Sequence, residues 1–181
     1  MSAPGRALAL LFAVNLLNYL DRYVVPPLVP LLQADFALSD RELGLLASAF
    51  LLVYTALSPL VGLAADRMRR KGLLAAGVAL WSLATAAAAF AGSYPALLAT
   101  RALVGIGEAT FGTLAPTWIA DLVPPERRGR ALAVFFVAMP LGGALGYVVG
   151  GAVGGTLGWR PAFLVAGLPG LLLAAAVLRL P

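Results

Sequence analysis

The chain has 181 residues, 61% of them hydrophobic and only 12% charged, and its mean hydropathy is +0.94. A soluble domain carries about 25% charge, so this composition specifies an integral membrane protein. With neither cysteine nor histidine, it excludes disulfides, thiol chemistry and the commonest general base and metal ligand. The net charge of +5 reads as loop cations facing an anionic leaflet rather than as a nucleic-acid footprint.

A helix needs about 20 mostly apolar residues to cross a bilayer. Six segments qualify, and the expected fold is all-α. The first, about residues 6–31, is too long for a cleavable signal peptide and carries Asp21 and Arg22. The second, about 41–64, runs into the charge cluster Gly62-Leu-Ala-Ala-Asp66-Arg67-Met-Arg69-Arg70-Lys71. The third, about 72–91, ends at Gly92 and is followed at Pro95 by the fourth, about 95–121. A second charged stretch, from Asp121 through Pro124, Pro125, Glu126, Arg127 and Arg128 to Arg130, leads into the fifth, about 130–156. Gly158 separates that span from the sixth, about 159–179.

Cations choose the orientation. With the N-terminus inside, the inner face holds nine: Arg6, Arg67, Arg69, Arg70, Lys71, Arg127, Arg128, Arg130 and Arg179. The outer face holds two, Arg41 and Arg160. The positive-inside rule then places both termini in the cytoplasm, and a bacterial inner membrane is the expected location. Three spans lie on each side of the turn after Ala91. An odd number of helices per unit inverts the second unit relative to the first.

Asp21, Arg22, Arg101 and Glu108 are ionisable residues inside these spans. Each costs a few kcal/mol at a helix centre, so each must face protein or water and find a partner. At 1.5 Å per residue, Asp21 lies about 22 Å from the inner start of its helix and Arg101 about 9 Å below the outer start of its own. The two are nearly level, and Glu108 is two turns deeper on almost the same face as Arg101. Such a band suits proton coupling, with Asp21 and Glu108 as the acids and Arg101 as their partner. A purely structural ion pair is the alternative. Asn15, Asn18, Tyr19 and Arg22 share a polar stripe on the first helix, a candidate substrate surface. On the fourth, Gly105 and Gly112 flank the charges and let a substrate or another backbone come close.

The fifth span repeats Gly142, Gly146, Gly150 and Gly154 at intervals of four. This small-residue pattern permits close helix crossing in lipid, either inside the bundle or against a second six-helix unit. Pro59, Pro116, Pro140 and Pro169 fall within spans and suit kinked helices.

The Gly62 to Lys71 run resembles the loop between the second and third helices of major facilitator superfamily transporters. Asn15-Leu-Leu-Asn18-Tyr19-Leu-Asp21-Arg22, Arg101-Ala-Leu-Val-Gly105-Ile-Gly107-Glu108-Ala109 and Pro140-Leu-Gly142-Gly143-Ala-Leu-Gly146-Tyr147 resemble its spinster branch. Trp159-Arg160-Pro-Ala-Phe163 is a general feature of the superfamily. The resemblance implies the N-terminal half of a proton-coupled carrier of amphiphilic lipids, such as lysophospholipids or sphingosine-phosphate-like molecules. It implies Asp21 and Glu108 as the protonatable pair and Arg101 as their partner or as a ligand for a substrate phosphate. It also implies a gating loop of Gly62, Asp66, Arg67, Arg70 and Lys71, and no cofactor or metal.

The expected partners are the lipid bilayer, protons, an amphiphilic small molecule and a second six-helix half, either a C-terminal half or a second copy. No nucleic-acid partner is expected. Another small-molecule or drug efflux carrier of the superfamily, or a non-transporting protein acting through helix association, are the competing readings. An enzyme is not expected, because there is no histidine base and no second intramembrane aspartate to pair with Asp21.

Overall fold

The computed structural model describes residues 3–65 and 68–180. Six helices follow in chain order: α1 (Ala3–Phe36), α2 (Asp40–Ala65), α3 (Arg70–Ala88), α4 (Tyr94–Leu122), α5 (Pro125–Leu157) and α6 (Trp159–Leu178). Helix is the form that apolar segments take in lipid, because it satisfies every backbone polar group within the segment. Five of the six are long and apolar enough to cross a membrane. The exception is α4, whose interior carries Arg101 and Glu108.

Local chemistry sets the ends. Ser39 and Glu42 form a capping box at the start of α2: the Ser39 backbone N–H and hydroxyl donate to Glu42 Oε2 at 2.9 and 2.7 Å. Ser93 caps α4, with proline in the first turn. Gly158 turns the chain between α5 and α6 at φ 91°, a left-handed conformation that favours glycine. α1 continues beyond residue 31 to Phe36, through Pro26, Pro27 and Pro30. α5 begins at Pro125, earlier than residue 130, so the Glu126–Arg130 stretch is helical. A proline in the first turn lacks only an N–H that would have had no helical partner.

α1 packs chiefly on α5, α2 on α4, and α3 on both α4 and α6, with a further α1–α6 contact. Exchanging the first three helices with the last three converts α1–α5 into α4–α2 and α3–α4 into α6–α1. The dominant packing is thus that of two interlocked, inverted three-helix units. Two apolar clusters fill the bundle. One is built around Trp81, Phe111 and Phe135, the other around Leu28, Leu97, Trp159 and Phe163. A polar band divides them: Asn15, Asn18 and Asp21 lie between Val14 and Val24 of α1, Thr85 between Ala84 and Ala88 of α3, and Arg101 between Leu97 and Val104 of α4.

The glycine repeat of α5 faces α1. Gly142, Gly146, Gly150 and Gly154 are buried, and a methyl group on any of them would press into Leu16, Tyr19, Leu20, Tyr23, Val24, Pro27 or Leu28. Gly151 and Gly155 meet nothing within 4 Å. Of the two readings of the repeat, contact inside the bundle is the one the structure adopts. At Gly146 an added Cβ would stand 2.9 Å from the Tyr23 backbone carbon, which cannot move aside as a flexible side chain can. Gly146→Ala should therefore destabilise the bundle by about 1–3 kcal/mol, and Gly151→Ala should leave it within about 0.5 kcal/mol of wild type. Thermal or denaturant unfolding of the two variants in detergent measures both.

Candidate functional site

Arg22 and Glu108 form the centre of the polar band. The Nε and Nη2 groups of Arg22 both donate to Glu108 Oε2, at 3.2 and 2.5 Å. The pair is asymmetric in access: the glutamate side chain is 0% exposed and the arginine side chain 28%. The guanidinium Cζ lies 5.1 Å from the Tyr19 ring centroid, 4.8 Å from that of Phe50 and 5.3 Å from that of Tyr54. These rings offer their π faces to the cation. Phe50 and Tyr54 are one turn apart on α2, which places them together on the face toward α4.

Arg101 approaches the same ring, its Cζ 5.8 Å from the Phe50 centroid. Its Nη1 is buried without a hydrogen-bond partner, so it faces Asp21 and Glu108 through charge alone, while Arg22 hydrogen-bonds Glu108. Arg22 follows Asp21 by one residue, so the two side chains leave α1 about 100° apart. Asp21 accepts a hydrogen bond at 2.7 Å from the Thr85 hydroxyl of α3, while Arg22 reaches α4. Both partners of the Asp21–Thr85 bond are buried, at 1% and 0% exposure.

The remaining residues of the α1 stripe separate. Asn15 donates to the Phe135 carbonyl of α5 at 2.9 Å and so ties two helices together. Asn18 is buried with Nδ2 unpartnered. Neither lines the cleft beside the ion pair. Gly105 and Gly112 likewise admit α2, against Phe50, Val53 and Tyr54, and not a substrate.

That cleft has a volume of 490 Å³. α1 lines it with Arg22, Tyr23, Val25, Pro26 and Val29, α2 with Leu43, Leu46, Ala47, Phe50 and Leu51, and α4 with Arg101. Its walls are thus apolar apart from two arginines and a tyrosine. Thr85 and the α2 aromatics were not singled out from the sequence. Their signals are a Ser82/Thr85 pair in an otherwise apolar α3 interior and aromatics four apart on α2.

The expected gating loop is largely helical. Gly62 is inside α2, and Arg70 and Lys71 form the first turn of α3. Arg70 Nη1 meets Asp121 Oδ2 at 2.7 Å at the end of α4, and the Lys71 ammonium donates to the Leu180 carbonyl. Asp66 and Arg67 lie outside the described residues. At the opposite end, Asp35 accepts from Trp159 Nε1 at 2.8 Å and from Arg160 Nη1 at 2.9 Å, joining α1 to α6.

The profile described as Major Facilitator Superfamily matches residues 11–181. The chain belongs to the major facilitator superfamily. Within it, the sequence is 41% identical to human protein spinster homolog 1 over 182 residues, covering 97% of this chain and 34% of that protein. It is 39% identical to the mouse sphingosine-1-phosphate transporter SPNS2 over 175 residues, covering 95% of this chain and 32% of that one. The fold superposes on the crystal structure of a bacterial homolog of the human lysosomal transporter Spinster in an inward-facing, occupied conformation. The TM-score is 0.90 and the identity 29%, over 96% of this chain and 43% of the other. An inward-facing, unoccupied structure matches with a TM-score of 0.91 at 28% identity. The chain thus spans about a third of the length of these curated relatives and has the fold of the N-terminal six-helix half of the superfamily.

The Asp21–Thr85 bond gives a direct test of the site's geometry. Thr85→Val keeps the shape but leaves a buried carboxylate oxygen unpaired, which should cost about 1–3 kcal/mol. Thr85→Ser should restore most of it. Unfolding of both variants, combined with Asp21→Asn in a double-mutant cycle, isolates the pair.

Proposed function

We propose that the chain is one half of a proton-coupled secondary transporter for amphiphilic lipids such as lysophospholipids. The observation that carries this reading is the buried Arg22–Glu108 pair set beside Arg101 in the wall of an apolar cleft. An amphiphile needs both features: cations for an anionic head and apolar walls for a chain. Similarity to a sphingosine-1-phosphate transporter supports the same class of ligand.

In this reading Glu108 and Asp21 carry protons, and Arg22 and Arg101 receive the head group, with Tyr19 stacked on Arg22. Arg70, pairing with Asp121, belongs to the gate on the cytoplasmic side, together with Lys71, Gly62, Asp66 and Arg67. In the same reading both termini face the cytoplasm, which the excess of cations on that side supports. A second six-helix half completes the substrate path, because alternating access rocks one bundle against another around a shared site.

The test is uptake into liposomes by the chain assembled with a second six-helix half, driven by an imposed proton gradient and using a labelled lysophospholipid. Glu108→Gln should abolish the gradient-driven component while the protein still inserts and folds. Unchanged gradient-driven uptake in that variant would sink the assignment.

A further inference from the structure

α1 and α5 run in the same direction, since Gly142, Gly146, Gly150 and Gly154 meet successive turns of α1 from Leu16 to Leu28. Both helices therefore start at the same, cation-rich end of the bundle. Carried back by the same spacing, this register sets Arg130 level with Arg6. Two grooves open side by side there. The first, of 510 Å³, is lined by Arg127, Arg130, Ala131 and Val134 of α5, Leu8 of α1, and Val123 at the end of α4. The second, of 300 Å³, is lined by Gly5, Leu8, Ala9 and Phe12 of α1 and Val134 of α5. Leu8 and Val134 line both, so the two form one continuous surface. Phe12 lies about 9 Å deeper along α1 than Arg6. The surface thus has two guanidiniums at its mouth and only apolar walls further in.

Neighbouring cations are engaged within the protein. Arg70 meets Asp121, Lys71 donates to the Leu180 carbonyl, and Arg128 Nε donates to the Ala120 carbonyl at 2.8 Å. The side chains of Arg127 and Arg130 make no hydrogen bond or salt bridge among the described residues. They stand three residues apart on one face of α5, with both groups exposed.

We infer that this groove docks an anionic diacyl phospholipid of the surrounding leaflet. Arg127 and Arg130 take its phosphate, and one acyl chain lies between α1 and α5 on Leu8, Ala9, Phe12 and Val134. Charge complementarity selects the occupant, because basic pockets between membrane helices attract anionic head groups. A free phosphate would leave the apolar walls bare. A second copy of the chain, with its net charge of +5, would bring further cations to the same end. The surface is separate from the cleft of the polar band, since Arg22 lies about 24 Å further along α1 than Arg6. Lipid here fills the α1–α5 seam where glycine does not close it: Gly129 meets nothing within 4 Å.

The chain in neutral detergent is titrated with phosphatidylglycerol and, separately, with phosphatidylcholine of the same acyl chains. Native mass spectrometry counts the lipids retained. Wild type should retain one phosphatidylglycerol in preference to phosphatidylcholine, and more weakly as salt rises. Arg127→Gln/Arg130→Gln should weaken that binding about thirtyfold, the effect of two cations near a membrane surface. Arg69→Gln/Arg179→Gln removes the same charge from exposed positions outside the groove and should leave binding unchanged. Ala9→Phe fills the apolar part from an exposed position and should lower retention without altering any charge. All five positions are exposed, so circular dichroism should show wild-type helix content in each variant. Equal retention of the two lipids, an equal loss in Arg69→Gln/Arg179→Gln, full competition by glycerol 3-phosphate, or a dimer of the chain in place of the lipid adduct overturns the inference. Binding here needs neither a proton gradient nor a second half, so its failure leaves the transport reading untouched.

Discussion

Two carboxylates and two guanidiniums inside apolar helices cost several kcal/mol per ion unless opposite charges and hydrogen bonds compensate them. The protein meets this constraint with a closed set. Arg22 takes Glu108, Thr85 takes one oxygen of Asp21, and Arg101 balances the remaining charge beside Phe50. Each partner comes from a different helix, so the compensation exists only when α1, α2, α3 and α4 are all in place. The polar band is the point at which these four helices are locked in register.

Holding that band between two apolar clusters requires close helix approach, and small residues supply it. The α5 glycines let α1 lie against α5 backbone to backbone. Gly107 does the same for α4 against Gly77 and Trp81 of α3, and Gly167 for α6 against Ser82 and Ala86. In lipid no hydrophobic force presses helices together, so packing of this kind and interhelical hydrogen bonds must hold them. By contrast, α1 and α2 flank the cleft, and both arginines lie against the ring of Phe50. The bundle is tight where glycine permits it and open where a ligand would enter.

The ends are tied more loosely. Arg70–Asp121 on one side and Arg160–Asp35 on the other are exposed pairs, a kind that contributes about 0–1 kcal/mol. Such contacts can exchange partners at little cost, whereas the buried band cannot. If the proposed carrier function holds, a core of fixed register with weakly tied rims suits a bundle that rocks.

Much of this was legible in the sequence. Six apolar stretches in a chain with so little charge leave helices as the only spanning form. The charges that interrupt those stretches mark the band, because lipid makes each of them expensive. Spacing along one helix also grouped the candidates, but spacing says which residues share a face and not what that face meets. Arg22, not Arg101, hydrogen-bonds Glu108, with Phe50 and Tyr54 of α2 against its guanidinium. Asn15 is taken up by a carbonyl of α5, and Thr85 reaches Asp21 from α3. These partners are 120, 86 and 64 residues apart in the chain for Asn15–Phe135, Arg22–Glu108 and Asp21–Thr85 respectively. Burial cost is a property of each residue, so composition and pattern determined where the charges are and that they must be paired. The choice of partner depends on the rotation and crossing of several helices at once, and only the tertiary structure decided it.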